Sequence, residues 1–497
     1  MPEGGRKLAS GGFDLRIRRA SRTAIVVAAL VASGTIPVGP AGAGPSAVGS
    51  WSPPVPLGII GIHAALLPSG KVLFYELPGS TLARARVFDP KTNTSTPVDP
   101  TLDWSVFCSG MSFMADGRLF ATGGEPPRSK TAPVGTGIEN AAFFDPVTGS
   151  WTGAASMAYP RWYPSNVQMP DGSTLVMGGE ATPTGANKMI GPMESYDPAR
   201  DRWTTLPSSA NRTGLYPRAM LLPSGRVFVA GPQAMTRRFD PATNRWQNVD
   251  SMTVGSRNAG GVVMLPGSTT VLTSGGKPGS KPVTATTETI DLTATTPQWR
   301  YKDPMNHARM HHNLVLLPDG SVLAVGGGTQ GNFGAPVKIA ERYDPETGLW
   351  TDMAAQAGQR TYHSTALLLP DGRVISAGSN SKKPEQTTVE FFSPPYLFRG
   401  ARPVVSSAPS AVAHGERFTV VTPDAASIDT VMLIRAPAVT HGWNFDQAAM
   451  RLSFTVEGSG IRVTAPADAA IAPVGSYMLF LLNADGVPSI APIVHVG

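Results

Sequence analysis

An all-β fold is predicted by three features of this 497-residue sequence. Short runs rich in Val, Ile, Leu, Phe and Thr alternate with turn residues, Gly and Pro together making up about a fifth of the chain. A strand–turn–strand unit recurs seven times, about every fifty residues. No long amphipathic helix pattern follows the N-terminal segment.

The chain opens with Arg16, Arg18, Arg19 and Arg22, an apolar run from Ala24 to about Ala32, and the small residues Ala41-Gly42-Ala43. This reads as an export signal over residues 1–43, with a mature chain from Gly44 that is secreted or held in the cell envelope. General secretory export is the first reading, and the Arg18-Arg19 pair leaves twin-arginine export open. The apolar run is too short to span a bilayer and no longer one follows, so no integral membrane segment is expected in the mature chain. The first 43 residues hold six Lys or Arg and two Asp or Glu, so most of the formal charge of +6 resides there. Nucleic-acid binding therefore has no basic surface to rest on. Hydrophobic residues at 41% against 15% charged indicate a globular chain with a large core, expected to be a monomer. Cys108 is the single cysteine, so no intramolecular disulfide can form; it is either buried and inert or chemically employed.

The repeats read LLPSGKVLF, FMADGRLFATGG, QMPDGSTLVMGG, LLPSGRVFVAG, MLPGSTTVLTSGG, LLPDGSVLAVGG and LLPDGRVISAG, with turn glycines Gly70, Gly117, Gly172, Gly225, Gly267, Gly320 and Gly372. A third strand ending in segments such as FDPVTGSW or YDPETGLW and a fourth beginning at the Trp complete most repeats. Four strands at this period make a propeller blade, and seven of them predict a seven-bladed kelch-type β-propeller over residues 44–398. Trp51 and its neighbours are expected to supply the outer strand of the last blade, beside Val389-Glu390-Phe391-Phe392. After the Pro-rich junction near 394–403, strands such as ERFTVVT, TVMLIRA and SYMLFLL predict an immunoglobulin-like β-sandwich over 399–497.

Register then points to a site. Counting back nine residues from each turn glycine reaches the axis end of the innermost strand, at Gly61, Cys108, Tyr163, Tyr216, Asn258, His311 and His363. The strands beyond are filled with Leu, Val, Met and Ala, so the sulfur, phenols and imidazoles converge at one end of the channel. Singly, each of these residues is more often packing than chemistry; their occurrence at equivalent places of one ring is the signal.

In four motifs the chain resembles the galactose oxidase and glyoxal oxidase family of copper-radical oxidases, over nearly all of residues 50–497. These are Phe107-Cys108-Ser109-Gly110, Tyr163 in RWYPS, Tyr362-His363-Ser364 ahead of LLLPDGRV, and Thr440-His441-Gly442-Trp443-Asn444-Phe445-Asp446-Gln447. The resemblance implies copper held by Tyr163, His363 and His441 with Tyr362 as a weak axial ligand, and a thioether between Cys108 and the ring of Tyr163 that carries a radical. It further implies that substrate gives a proton to Tyr362 and a hydrogen atom to the Tyr163–Cys108 radical, and that dioxygen leaves as hydrogen peroxide. Substrates would be small aldehydes, as hydrates, primary alcohols or glycan ends.

The chain also departs from galactose oxidase. Gly178-Gly179-Glu180-Ala181 lacks the Trp that stacks over the thioether there, which leaves Tyr216 as the candidate stacking ring. No carbohydrate-binding domain fits between Gly44 and Trp51, which makes the chain more similar to the glyoxal oxidase branch. His311 and His312 match no ligand; packing or a substrate contact is expected of them. The competing reading is a non-catalytic kelch propeller that binds a protein or glycan.

Overall fold

The computed structural model describes residues 43–76, 83–126, 135–183, 188–206, 211–267, 269–380 and 385–497. The expected export signal, up to residue 42, lies outside the described residues. Among the described residues, apart from the helical turn Pro45–Val48 and two short 3-10 turns, the regular structure is strand.

Each repeat folds locally into an antiparallel sheet for reasons its turn chemistry supplies. In the second repeat Met114 N–H bonds Arg118 O and Gly117 N–H bonds Met114 O, while the Asp116 carboxylate accepts the Arg118 N–H. Asp171, Asp319 and Asp371 cap their own turns in the same way. Each of these turns needs a left-handed residue after the Asp, and Gly117, Gly172, Gly320 and Gly372 provide it at φ of 82–85°. Between the third and fourth strands the Asp of the Asp-Pro pairs accepts a backbone N–H two residues on, as Asp145 does from Val147 and Asp344 from Glu346.

The resulting four-stranded sheets run in sequence order from Gly110–Phe113 to Ser150–Ala154, Ser165–Gln168 to Arg202–Leu206, Ala219–Leu221 to Arg245–Ser251, and Gly261–Met264 to Arg300–Lys302. The next runs from Asn313–Leu316 to Trp350–Ala355, with a separate hairpin of Gly328–Gln330 and Gly334–Pro336 rising from it. Ser364–Leu368, Val374–Gly378 and Thr388–Ser393 are completed by Ser50–Trp51 and Val55–Pro56, with Trp51 opposite Phe392. The N-terminal strand thus pairs with the 389–392 run as expected. First strands pack side by side: Ser165–Gln168 touches Gly110–Phe113 and Ala219–Leu221, and Ser364–Leu368 touches Asn313–Leu316 and His63–Leu66. Fourth-strand tryptophans reach across to the preceding repeat, Trp151 Nε1 to Val98 O, Trp203 Nε1 to Ala155 O and Trp51 Nε1 to Ala354 O.

A buried ion pair recurs at the inner edge. Arg161–Glu194, Arg257–Glu288, Arg309–Glu341 and Arg360–Glu390 each join a guanidinium just before an innermost strand to a third-strand carboxylate. The same arginines donate to the carbonyls of Gly178, Gly275, Gly326 and Gly378. Because the pair is desolvated, loss of one partner strands a charge. Glu288→Ala is accordingly expected to lower the unfolding free energy by about 3–5 kcal/mol, to be checked by urea denaturation.

Beyond residue 410, Ala411–Val412, Ile493–Val496, Gly475–Asn483, Ile428–Arg435 and Ala449–Leu452 form one sheet and Arg417–Val421, Gly460–Thr464 and Phe454–Glu457 another. Phe418, Val420 and Ile461 of one sheet meet Val431, Leu433, Leu479 and Leu481 of the other in a common core. One segment leaves this sandwich: Ala438–Thr440 pairs antiparallel with His63–Leu66 of the first repeat, His63 opposite Thr440. It is the strand that delivers His441.

Candidate functional site

The innermost strands begin with a shared backbone irregularity. Cys108, Tyr163, Tyr216, His311 and His363 have φ of 65°, 60°, 41°, 62° and 66°, left-handed values that cost a non-glycine residue roughly 1–3 kcal/mol each and cluster at functional sites. Backbone hydrogen bonds pass from one to the next: Tyr163 N–H to Cys108 O at 3.1 Å, Tyr216 N–H to Tyr163 O at 2.8 Å, and His311 N–H to Ala259 O at 2.8 Å. The positions counted from the repeats therefore share one backbone conformation, with two corrections. In the fifth repeat Ala259 (φ 54°), not Asn258, is the left-handed residue, and Gly61 does not take that conformation in the first.

Four donors converge. The Tyr163 hydroxyl lies 2.7 Å from Tyr362 Oη, 2.7 Å from His441 Nε2 and 3.4 Å from His363 Nε2. The His363 and His441 rings meet edge to face with centroids 4.5 Å apart, and Tyr362 stacks on His363 at 3.7 Å. Tyr163, His363 and His441 are buried and Tyr362 is partly so. Burial, with the His363 charge next in importance, holds the His441 imidazole far below its usual range, so it is neutral and a competent donor. Burial likewise pushes both phenols up, helped by negative charge at Cys108, so neither ionises without a neighbouring cation. Among the described residues no three His, Cys, Asp or Glu side chains form a metal-spaced cluster; what converges is two imidazoles and two phenols.

Long-range contacts hold the His441 donor. Thr440 Oγ1 donates to Ile62 O and lies 2.7 Å from His441 Nδ1, leaving Nε2 for the site. After His441, Asn444 Oδ1 accepts the Ala438 and Asp446 N–H groups, Asp446 Oδ2 accepts Phe113 N–H, and Gln447 Oε1 accepts Met264 N–H. The polar residues of the last motif thus pin its loop to the edges of two different repeats. Gly442 (φ 71°) lies where a Cβ would meet His312 O at 2.4 Å, so no other residue fits there.

Cys108 is fully buried on the segment whose carbonyl receives the Tyr163 N–H. The Tyr163 ring is flanked by two near-parallel rings, Trp162 at 3.9 Å and 13° and Tyr216 at 4.4 Å and 19°. Tyr216, whose hydroxyl donates to Ser109 O at 2.9 Å, stacks on the Tyr163 ring itself; Trp162 was not anticipated as a second flanking ring. His312 is structural, its Nε2 3.2 Å from Ser274 Oγ. His311 sits beside Tyr362, ring centroids 4.9 Å apart, with burial pushing its pKa down to about 4.

Two residues were missed. Arg218 is buried and, unlike the four repeated arginines, forms no ion pair among the described residues: Gly214 stands where the fourth repeat would need its arginine. Its guanidinium donates to Tyr216 O and lies 5.6 Å from the Trp443 ring centroid, and its charge disfavours protonation of His311, His312 and His441. His63 is the other, a fully buried imidazole whose Nε2 accepts the Cys108 N–H at 3.2 Å. The available signal for both was a basic side chain at the head of an innermost strand, His63 opening His63–Leu66 and Arg218 immediately preceding Ala219–Leu221.

Residues 77–396 match the family described as Glyoxal oxidase N-terminus, and residues 402–496 that described as Galactose oxidase-like, Early set domain. A galactose oxidase of Gibberella zeae is 30% identical over 90% of this chain and 71% of its own. The aldehyde oxidase GLOX of Vitis pseudoreticulata is 30% identical over 88% of this chain and 91% of its own. The solved structure of a fungal alcohol oxidase of the AA5 family in complex with copper superposes with a TM-score of 0.80 at 27% identity, covering 90% of this chain and 99% of that one.

Proposed function

Because this chain belongs to the glyoxal oxidase and galactose oxidase family of copper-radical oxidases, we propose that it oxidises small aldehydes, as their hydrates, or primary alcohols, with dioxygen leaving as hydrogen peroxide. The observation that carries this reading is the meeting of Tyr163 Oη with Tyr362 Oη, His441 Nε2 and His363 Nε2, from sequence-distant segments, within 3.4 Å. Two imidazoles with two phenols suit copper(II) better than zinc or calcium, and Tyr163, Tyr362, His363 and His441 would hold it. Copper supplies a one-electron acceptor and a charge that makes phenolate accessible at this buried place.

The chain's own groups divide the remaining work. Tyr362, fixed by the stack on His363, by Phe333 at 5.8 Å and by its N–H to Asn332 O, accepts the proton of the substrate hydroxyl. Tyr163, joined through a thioether to Cys108 and flanked by Trp162 and Tyr216, holds the oxidising equivalent and takes the hydrogen atom from substrate carbon. Sulfur on the ring and the flanking aromatic surfaces both lower the cost of removing an electron from the phenol, while burial keeps water from quenching it. The hydrogen bond from His441 Nδ1–H to Thr440 Oγ1 fixes the face that His441 presents.

The scaffold we propose is a closed seven-bladed kelch-type propeller over 44–398 with the sandwich over 399–497, exported through residues 1–43 and acting as a monomer. The experiment that tests the activity is a peroxide assay after copper loading, across glyoxal-like aldehydes, glycolaldehyde, galactose and glycan ends. Peroxide from at least one small aldehyde is expected; none from any, with copper bound, would remove the proposal. Thr440→Val, which keeps shape and loses the hydroxyl at His441 Nδ1, should weaken copper binding by about 10–100-fold, as read by chelator competition.

A further inference from the structure

The segment Cys108-Ser109 is gripped from several sides. The Cys108 N–H bonds His63 Nε2 at 3.2 Å, and the Cys108 carbonyl takes the Tyr163 N–H at 3.1 Å. Ser109 Oγ is 3.2 Å from Tyr75 Oη, and the Ser109 carbonyl takes the Tyr216 hydroxyl at 2.9 Å. His63 and Tyr75 are directly opposed on neighbouring strands of the first repeat and their rings stack at 4.1 Å and 10°. His63 is in turn directly opposite Thr440. One cross-strand row, Tyr75–His63–Thr440, therefore touches the segment that carries the thiol and the hydroxyl that orients His441.

His63 is an expensive way to fill this place. With Nε2 accepting, its proton lies on Nδ1, and Nδ1 is buried with no hydrogen-bond partner among the described residues. An apolar side chain would pack here without that penalty, but it would take the His63 acceptor away from the N–H of a residue already strained at φ 65°. No role for this imidazole follows from the donors of the site, since its ring centroid is 6.0 Å from that of His441.

We propose that His63, backed by Tyr75, is a positioning residue for formation of the Cys108–Tyr163 thioether, holding Cys108 in the left-handed conformation from which its sulfur can reach the phenol ring. The inference rests on the oxidase reading above. In that step the S–H bond of Cys108 and a ring C–H bond of Tyr163 ortho to the hydroxyl break and one C–S bond forms. The two electrons and two protons released pass to dioxygen, giving hydrogen peroxide, with copper present at the adjoining donors.

Protein made without copper and then given copper and air reports the step directly, as the loss of two hydrogens in intact mass with time. His63→Leu is expected to slow that loss about tenfold, the effect of one lost hydrogen bond on a barrier, with its melting temperature and copper affinity close to wild type. His63→Gln, which can present an acceptor near the Nε2 position, should recover most of the rate. Once formed, the crosslinked fraction of each variant should turn over like wild type, which a general loosening of the site would not permit. If wild type crosslinks and His63→Leu does so equally fast, the proposal is overturned; if wild type itself never loses the two hydrogens, it is the thioether reading that fails. Should His63→Leu not fold, Tyr75→Phe decides: it keeps the stack and loses the Ser109 contact, and an undiminished crosslinking rate would overturn the clamp.

Discussion

Cys108→Ala is expected to abolish turnover while leaving copper bound. The substitution removes the sulfur and nothing that the converging donors need: Tyr163 Oη, Tyr362 Oη, His363 Nε2 and His441 Nε2 come from other segments. Cys108 contributes to the ring through its backbone as well, the carbonyl receiving the Tyr163 N–H and the amide donating to His63, and Ala keeps both. What disappears is the electron-rich substituent on the phenol, without which the oxidised Tyr163 is harder to form and shorter-lived. A fall in kcat on the order of a thousandfold, ~4 kcal/mol of barrier, should accompany near-normal copper binding by chelator competition and a mass that does not change on copper loading. Unchanged turnover would exclude the radical mechanism. A small cavity and a Tm lower by a few degrees are also expected, since the thiol is completely buried.

How much of this was legible in the sequence follows from which interactions are local. The Asp-Gly turns, the Asp-Pro turns and the Gly-Gly ends are short-range chemistry, so the repeat frame, and the places of Cys108, Tyr163, Tyr216, His311 and His363 within it, could be counted out. The slip in the fifth repeat shows why. In other repeats the residue that follows the innermost strand bonds a carbonyl four residues on, as Leu67 does Lys71 and Met169 does Ser173, whereas Leu265 bonds Thr270. The loop there is one residue longer and its glycine comes one place earlier, so counting back from Gly267 stops at Asn258, one short of Ala259. A count from the hydrogen-bonded strand end would have found it.

Contacts between sheets left no such trace. That Thr440 sits opposite His63 depends on an antiparallel pairing between segments more than three hundred residues apart, and that His63 accepts from Cys108 and Tyr75 reaches Ser109 depends on how the first two repeats pack, neither of which any periodicity encodes. Arg218 was hidden for the opposite reason. It looks like one more strand-start arginine, and only the carboxylates that pair Arg161, Arg257, Arg309 and Arg360 reveal that it has no such partner among the described residues.

His441→Ala carries the second large effect, and it separates the site from the scaffold. His441 is the one donor supplied from beyond the repeats, through a strand laid along the first of them. The strand and loop that carry it are held independently of the imidazole. Ala438–Thr440 pairs with His63–Leu66, Asn444 closes its own loop, and Asp446 and Gln447 accept the backbone N–H groups of Phe113 and Met264. Arg435, paired with Asp446 and bonded to Gln168, ties the sandwich to the same surface. Removing the ring should therefore leave the sandwich docked and the chain folded, with a modest fall in Tm from the vacated space. Copper affinity, by contrast, should drop by more than the 10–100-fold typical of losing a group that merely orients a ligand, and with it both peroxide formation and the mass change at Cys108. The measurements are chelator competition, intact mass after copper loading, and limited proteolysis across 399–410. A variant that keeps wild-type copper affinity would take His441 out of the ligand set and with it the reading of this strand as the device that completes the metal site; a variant that loses copper only because the sandwich has come away would show itself as new cleavage in the junction.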